Sequence, residues 1–201
     1  MSGWPFEGLR PMGYGAILAD PPWRFEVWNG ETVRKARGAE GIHYDTMSAA
    51  DIAGLPVAQL AAADCVLFLW VTWPTLPQAF DLLGAWGFTY KTCAFDWTKA
   101  RASQVEMFQD DIPVQVGMGY WTRANTEPCL LATRGKPKRL NADVRQAIIA
   151  PRREHSRKPD GVHERIERLV AGPYCELFAR QPRRGWDVWG NETTKFAEAV
   201  A

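Results

Sequence analysis

The chain has 201 residues, 46% hydrophobic and 23% charged, which fits one domain with a sizeable core and excludes general disorder. A formal net charge of +1 excludes a bulk basic field, so any grip on a polyanion must be local. Cys65, Cys93, Cys129 and Cys175 are widely spaced with no C-x-x-C pair, which argues against zinc knuckles and a disulfide framework. His43, His155 and His163 share no ligand spacing, so no metal is expected. The longest apolar run, Cys65 to Val71, is too short to cross a bilayer. The N-terminus carries no signal pattern, so a cytoplasmic location and no membrane partner are expected.

In chain order, Ala16 to Ala19 reads as a short buried strand stopped by Asp20-Pro21-Pro22. Ser48 to Ala63 reads as helical, with Ser48 as N-cap, Asp51 completing a capping box, and Pro56 dividing it. Cys65 to Val71 is a continuous apolar strand, the pattern of a sheet covered on both faces. Leu76 to Trp86 reads as a helix closed by Gly87, and Phe88 to Trp97 as a strand. Residues 100–126 are polar and irregular, a length of loop that is uncommon unless functional. Cys129 to Thr133 is a short strand ended by Arg134-Gly135. Pro159 to Val170 is helical, and Tyr174 to Phe178 and Asp187 to Trp189 are strands. No repeat or linker divides the chain, so a single domain over 1–201 is expected. Strands alternating with helices imply an α/β fold with a mainly parallel, doubly wound sheet. Ligands of such sheets sit beyond the carboxyl ends of strands, which directs attention to Asp20 and to the segment after Phe178.

Asp20-Pro21-Pro22-Trp23 follows the first strand directly. An exocyclic amine on a nucleobase is a poor nucleophile, because its lone pair is delocalised into the ring. A site that accepts hydrogen bonds from both amine hydrogens localises that pair. The Asp20 carboxylate can take one hydrogen and a main-chain carbonyl, most simply that of Pro21, the other. Prolines 21 and 22 have fixed φ and no N–H, so the turn is stiff and presents acceptors only. Trp23 offers a flat face for stacking a base, worth ~1–3 kcal/mol. The same four residues also make an ordinary turn whose tryptophan caps the core.

The strand with Asp20-Pro21-Pro22-Trp23 resembles the catalytic motif of S-adenosylmethionine-dependent amino-methyltransferases. More specifically, the chain resembles the MTA-seventy family of adenine-N6 methyltransferases. His43 to Ser48, Val66 to Thr72, Gly119-Tyr120-Trp121, Glu127-Pro128-Cys129-Leu130, Ser156 to Asp160 and Ile166 to Leu169 fall in the family's order. Glu176 to Arg180 and Gly185 to Glu192 close the series. The resemblance implies a Rossmann-like class I methyltransferase fold, permuted so that the catalytic motif precedes the cofactor-binding strand. It implies S-adenosylmethionine as cofactor, with Lys158 on its carboxylate, Asp20 near its ammonium, Glu176 and Arg180 along the ribose and amino-acid side, and Phe178 also cofactor-binding. Asn191 and Glu192 match the Asn-Gln pair that contacts the adenosine part, with glutamate replacing glutamine. Tyr44 and Glu127 match residues on the substrate side. The family has a mobile loop after the motif, here 24–41, and this one looks longer than the eukaryotic version.

From Arg134 to Lys158 there are nine Lys or Arg against Asp143 and Glu154, a segment charge of +7 with histidine neutral. Concentrated basicity beside a cleft suits phosphate contact, with Arg152, Arg153 and Arg157 nearest the cofactor lysine. A solvated basic face is the plainer reading of the same run. The function expected is adenine-N6 methylation of nucleic acid, DNA favoured because the chain carries no zinc knuckle or other separate RNA-binding module. RNA methylation is the alternative within the enzyme class, and a catalytically silent nucleic-acid-binding subunit the alternative outside it. A homodimer or a partner subunit is compatible with the resemblance, since some relatives need a partner chain.

Overall fold

The computed structural model describes residues 3–24, 46–100, 121–153 and 157–195. Tyr44, the loop after the motif and most of the 100–126 segment lie outside the described residues.

The strands are β1 (Tyr14–Ala19), β2 (Ala61–Trp70), β3 (Thr89–Ala100), β4 (Thr126–Arg134), β5 (Ala147–Pro151), β6 (Tyr174–Leu177) and β7 (Trp186–Trp189). They form one sheet in the order β5-β3-β4-β2-β1-β6-β7. The β1/β2, β1/β6, β3/β5 and β6/β7 pairs are parallel, and β4 runs antiparallel to both β2 and β3. The sheet is therefore mainly parallel, as the alternation of strands and helices implies.

Side chains alternate across this sheet into two cores. Ile17, Leu67, Leu69, Cys175 and Leu177 face one side, where they meet Ile52, Ala79, Leu82, Leu83 and Trp86. Ala16, Leu18, Val66 and Phe68 face the other, where they meet Val162 and Ile166. The helices supplying these partners are α1 (Ala49–Ala53), α2 (Leu76–Ala85) and α3 (Gly161–Leu169). Helices on both faces explain why β1 and the second half of β2 read as unbroken apolar runs.

The capping box at Ser48 is present: Ser48 Oγ accepts from the Asp51 N–H at 3.1 Å. The helix it starts is shorter than the sequence suggests. It ends at Gly54, a 3-10 turn follows over Val57–Gln59, and Ala61 to Ala63 belong to β2 instead. Pairing decides this, since the N–H groups of Gly13 and Tyr14 donate to Leu60 O and Tyr14 sits opposite Ala61. Strand β5 has no counterpart in the sequence reading. It is a short edge strand among basic residues with Ile148 inward, and Pro151 ends it where a ladder donor is not needed.

The carboxyl ends of β1, β2, β3, β5, β6 and β7 share one edge, and β4 starts there. That edge gathers Asp20, Glu127, Lys158, Phe178 and Asn191. The basic segment is split by the same topology. Arg134 pairs opposite Cys65 at the far edge, and Lys136 N bonds Asp64 Oδ1 at 2.7 Å there. Of its described residues, Arg152, Arg153, Arg157 and Lys158 reach the edge that carries Asp20. The expected concentration of charge beside the cleft is corrected to that shorter stretch.

Candidate active site

Asp20 is the residue after β1, and its carboxylate is held from the loop between β5 and α3. Lys158 Nζ lies 2.9 Å from both Asp20 Oδ1 and Oδ2. The same ammonium is 2.8 Å from Glu127 Oε1, and Glu127 Oε2 is 2.8 Å from Lys99 Nζ. Two carboxylates and two ammoniums thus form a neutral ladder from the end of β3 to the end of β1. Lys158 Nζ also lies 5.4 Å from the centre of the Trp70 ring, which is buried.

Burial and charge compete along this ladder. Burial pushes the Asp20 carboxyl up, Lys158 opposes it, and Glu127 adds to the push. Burial also works upward on Glu127, but Lys158 and Lys99 outweigh it and hold that carboxyl down at about 2. Burial works against the charged form of Lys158, yet Asp20 and Glu127 raise it, so it stays an ammonium.

The loop carrying Lys158 is braced by Arg153. Its Nη1 bonds Asp160 Oδ2 at 2.6 Å and its Nη2 donates to Lys158 O at 3.1 Å. Arg157 Nη2 approaches Asp160 Oδ1 at 3.7 Å. These arginines have a structural task that the sequence reading did not include. Arg152 is exposed at the same edge.

The turn after Asp20 is pinned. Trp23 N–H donates to Pro21 O at 2.8 Å, and Met47 N–H donates to Pro22 O at 3.0 Å. Pro21 is buried and its carbonyl already accepts one bond, which leaves it one further lone pair. Trp23 does not offer the open stacking face expected of it. Its ring is 5% exposed inside the core, and its Nε1 donates to Trp70 O at 3.1 Å. An indole wedged between β1 and the end of β2 fixes the turn. A half-exposed indole at this edge belongs to Trp73, whose Nε1 donates to Thr126 Oγ1 at 2.9 Å.

Beside Asp20 opens a cleft of about 280 Å³, lined by Asp20, Pro22, Met47, Phe178 to Arg180 and Trp189 to Glu192. Its floor is backbone. Phe178 takes φ 61° directly after β6, a conformation a bulky side chain adopts only when its surroundings impose it. The Trp189 ring meets it edge-on at 5.4 Å. A Cβ on Gly190 would lie 2.7 Å from Ala179 O and 2.9 Å from Ala179 N, so only glycine lets the chains leaving β6 and β7 approach this closely. Arg180 Nε stands 3.9 Å from Glu192 Oε2, and Lys195 Nζ lies 2.6 Å from Glu192 Oε1.

The residues that the resemblance assigns to S-adenosylmethionine divide here. Asp20, Phe178, Arg180, Asn191 and Glu192 line the cleft, and Lys158 reaches it through Asp20. These fit the group in chemistry: an aromatic ring, a backbone cradle at Gly190, acceptors for hydroxyls and an amine, and cations for a carboxylate. Glu176 is a correction. It points to the other face of the sheet, where Glu176 Oε2 lies 2.7 Å from His163 Nε2 on α3. The period of two in β6 explains this, since Cys175 and Leu177 occupy the face that carries the cleft. Glu127 is also not a free substrate-side carboxylate, because both its oxygens are taken by lysines. Lys99 and His163 were missed. Lys99 falls two residues past the strand end read from the sequence, and no local signal marks it. Among the described residues, no group of three or more His, Cys, Asp or Glu side chains could hold a metal ion. No helix among them is long and apolar enough to cross a membrane.

The MT-A70 family model matches residues 14–192. The type II methyltransferase M.MunI of Mycoplasma sp. is 31% identical over 93% of this chain and 81% of its own length. The N(6)-adenine-specific methyltransferase METTL4 of Mus musculus is 30% identical over 91% of this chain and 38% of its own. The N(6)-adenosine-methyltransferase catalytic subunit METTL3 of Homo sapiens is 28% identical over 89% of this chain and 28% of its own. The chain therefore spans most of the bacterial relative and well under half of each of these two mammalian ones. With a match that runs from β1 through the cleft residues, the chain belongs to the MT-A70 family.

Proposed function

We propose that this chain transfers a methyl group from S-adenosylmethionine to N6 of adenine in nucleic acid, with DNA as the favoured substrate. The observation that carries the reading is Asp20: a part-buried carboxylate at a parallel-strand end, held by Lys158, at the mouth of a cleft whose lining suits a nucleoside. DNA is favoured by the coverage and identity of M.MunI, a type II methyltransferase. RNA is the competing substrate, supported by the N(6)-adenosine enzymes among the relatives.

The bound cofactor would supply a methyl group on a sulfonium, which departs as a thioether with the electron pair of the broken C–S bond. The chain's own residues do the rest. Asp20 accepts one N–H of the adenine amine and the further lone pair of Pro21 O accepts the other, which favours a pyramidal nitrogen with a localised lone pair. Positioning and electrostatics of this kind need no covalent enzyme intermediate. The proton shed by the methylated amine passes to solvent, so Asp20 need not be a strong base. Arg180, Asn191 and Glu192 orient the cofactor, with Arg180 as the cation for its carboxylate and Lys158 adding positive charge from behind Asp20. Arg152 is the exposed cation suited to phosphate. The adenine must leave any duplex stack to reach the carboxylate.

The test is transfer of labelled methyl to adenine-containing DNA and RNA, with adenine-free strands as controls. Label on N6 of adenine in DNA above that in RNA is expected. Binding of both nucleic acids with label in neither would make the chain a silent subunit.

A further inference from the structure

We propose that Lys99 is a positioning residue for the Asp20 centre: by neutralising Glu127 from the β3 side, it leaves Lys158 on both oxygens of Asp20 and keeps Asp20 an acceptor. The inference rests on the reading of Asp20 as the acceptor for the amine, and it adds a residue that does not line the cleft. The geometry is a relay. Lys99 Nζ holds Glu127 Oε2 at 2.8 Å, the other Glu127 oxygen holds Lys158 at 2.8 Å, and Lys158 holds Asp20 at 2.9 Å. Lys99 is fixed at its own end by the Trp97 ring, whose centre lies 5.1 Å from Nζ. Its backbone N–H donates to Asn125 O at 2.9 Å.

Charge counting shows what Lys99 does. With it, two carboxylates face two ammoniums in a part-buried site. Without it, both carboxylates compete for Lys158, and one buried negative charge is left over. Such a charge is expensive, so the weaker acid of the pair takes up a proton. Among the described residues, the charged and titratable groups facing Asp20 are Lys158, Glu127, Arg180 and the buried Cys129 thiol; those facing Glu127 are Lys99, Lys158, Asp20 and the same thiol. Without Lys99, Glu127 has Lys158 as its one remaining ammonium and draws it away from Asp20, the carboxyl that burial already pushes up, so the proton goes to Asp20. A protonated Asp20 oxygen donates where the amine needs an acceptor.

The experiment uses the full chain carrying Lys99→Met. Two quantities are read: the titration of the Asp20 carboxyl by carbon NMR in the enzyme alone, and the pH profile of methyl transfer. Both the Asp20 titration and the acid limb of the profile are expected to move up by about one pH unit or more, a tenfold change in the proton equilibrium. Lys99→Arg is expected to restore both. The double variant Lys99→Met with Glu127→Gln deletes one charge of each sign, and its Asp20 titration is expected to return toward that of the parent. A uniform loss of activity at every pH, or an Asp20 titration that stays put in Lys99→Met, would overturn the proposal. A shifted titration beside an unshifted rate profile would uphold the effect of Lys99 on Asp20 and sink Asp20 as the amine's acceptor.

Discussion

Between Lys99 and Asp20 the charged side chains are part-buried and paired with one another, whereas between Phe178 and Glu192 the polar groups are spread along a cleft. The first flank is assembled from β3, β4 and the loop before α3, and its geometry is enforced by electrostatics in a poorly solvated place. The second is assembled from the ends of β6 and β7, and its geometry is enforced by backbone: a left-handed Phe178 and a glycine that tolerates no Cβ. Reaction chemistry needs an acceptor fixed before substrate arrives, which buried charge supplies. A cleft for a flexible, many-atomed ligand needs room and exposed polar edges, which a strained backbone leaves open. The two flanks should therefore fail differently when altered.

Asp20→Asn is the largest break. It removes one acceptor oxygen and leaves Lys158 with Glu127 alone, while the turn stays pinned through Trp23 and Met47. Methyl transfer is expected to fall about 100- to 1,000-fold, with the fold retained, as read by single-turnover rates beside thermal unfolding. Activity within a few-fold of the parent would remove Asp20 from the reaction.

Gly190→Val attacks the other flank. Its side chain would collide with Ala179 backbone, which cannot yield as a flexible side chain would. Overpacking of this kind costs ~1–3 kcal/mol, so cofactor affinity is expected to fall about tenfold or more by titration calorimetry. The Asp20 carboxyl titration should be unmoved. A shift of both quantities together would mean that the flanks are not separable.

How much of this was legible in the sequence follows the same division. Asp20 and the segment after Phe178 were readable because each lies just past a strand end, where parallel sheets place ligands, whereas Arg180 and Asn191 came only with the resemblance to the family. The order of motifs then identified the ligand class. Glu176 was misplaced because a resemblance carries a residue's position but not which face of the strand it occupies. The two-residue period of β6 puts it with His163. Lys99 was invisible because it acts across the antiparallel β3/β4 pair, where Trp97 meets Glu127 in a register set by tertiary contact. Trp23 was read as a stacking platform, with a core-capping tryptophan as the alternative, and the alternative is the one found. Only the β2 end, whose Trp70 carbonyl accepts its N–H, shows it to be buried. Strand β5 is a short apolar run, Ala147–Pro151, and was lost because basic residues stand on both sides of it, Arg145 before and Arg152 and Arg153 after.

Glu127→Gln sharpens the ladder's side of the comparison through pH. The Glu127 carboxyl sits at about 2 in the folded chain, below its ordinary value of 4.5. A depressed carboxylate stabilises the fold above its unfolded value, and that stability is lost as pH falls through the folded one. The contribution is on the order of 3 kcal/mol and should drain away between about pH 5 and pH 2. Asp20, pushed up by burial, gives the opposite slope, so the readout is the difference between the parent and Glu127→Gln in denaturant unfolding. That difference should shrink on acidification. A difference that is constant from neutral pH to pH 3 would mean Glu127 is not held by its lysines.

The smallest effect belongs to Glu176→Gln, on the face away from the cleft. In the structure Glu176 ties β6 to α3 through His163, whose ring meets Trp186 edge-on at 4.8 Å. Trp186 in turn donates from Nε1 to Glu167 at 2.7 Å, so the contact belongs to a packed polar layer under the sheet. Replacing the carboxylate by an amide keeps the shape and weakens one hydrogen bond. A loss of ~1–2 kcal/mol in unfolding free energy is expected, with cofactor affinity changed less than about threefold. A residue lining the cofactor would behave the other way, losing affinity and little stability. The ratio of the two effects in this one variant therefore decides which face of β6 the carboxylate serves. It also decides whether the cleft is built by the strand's side chains or by the backbone beyond its end.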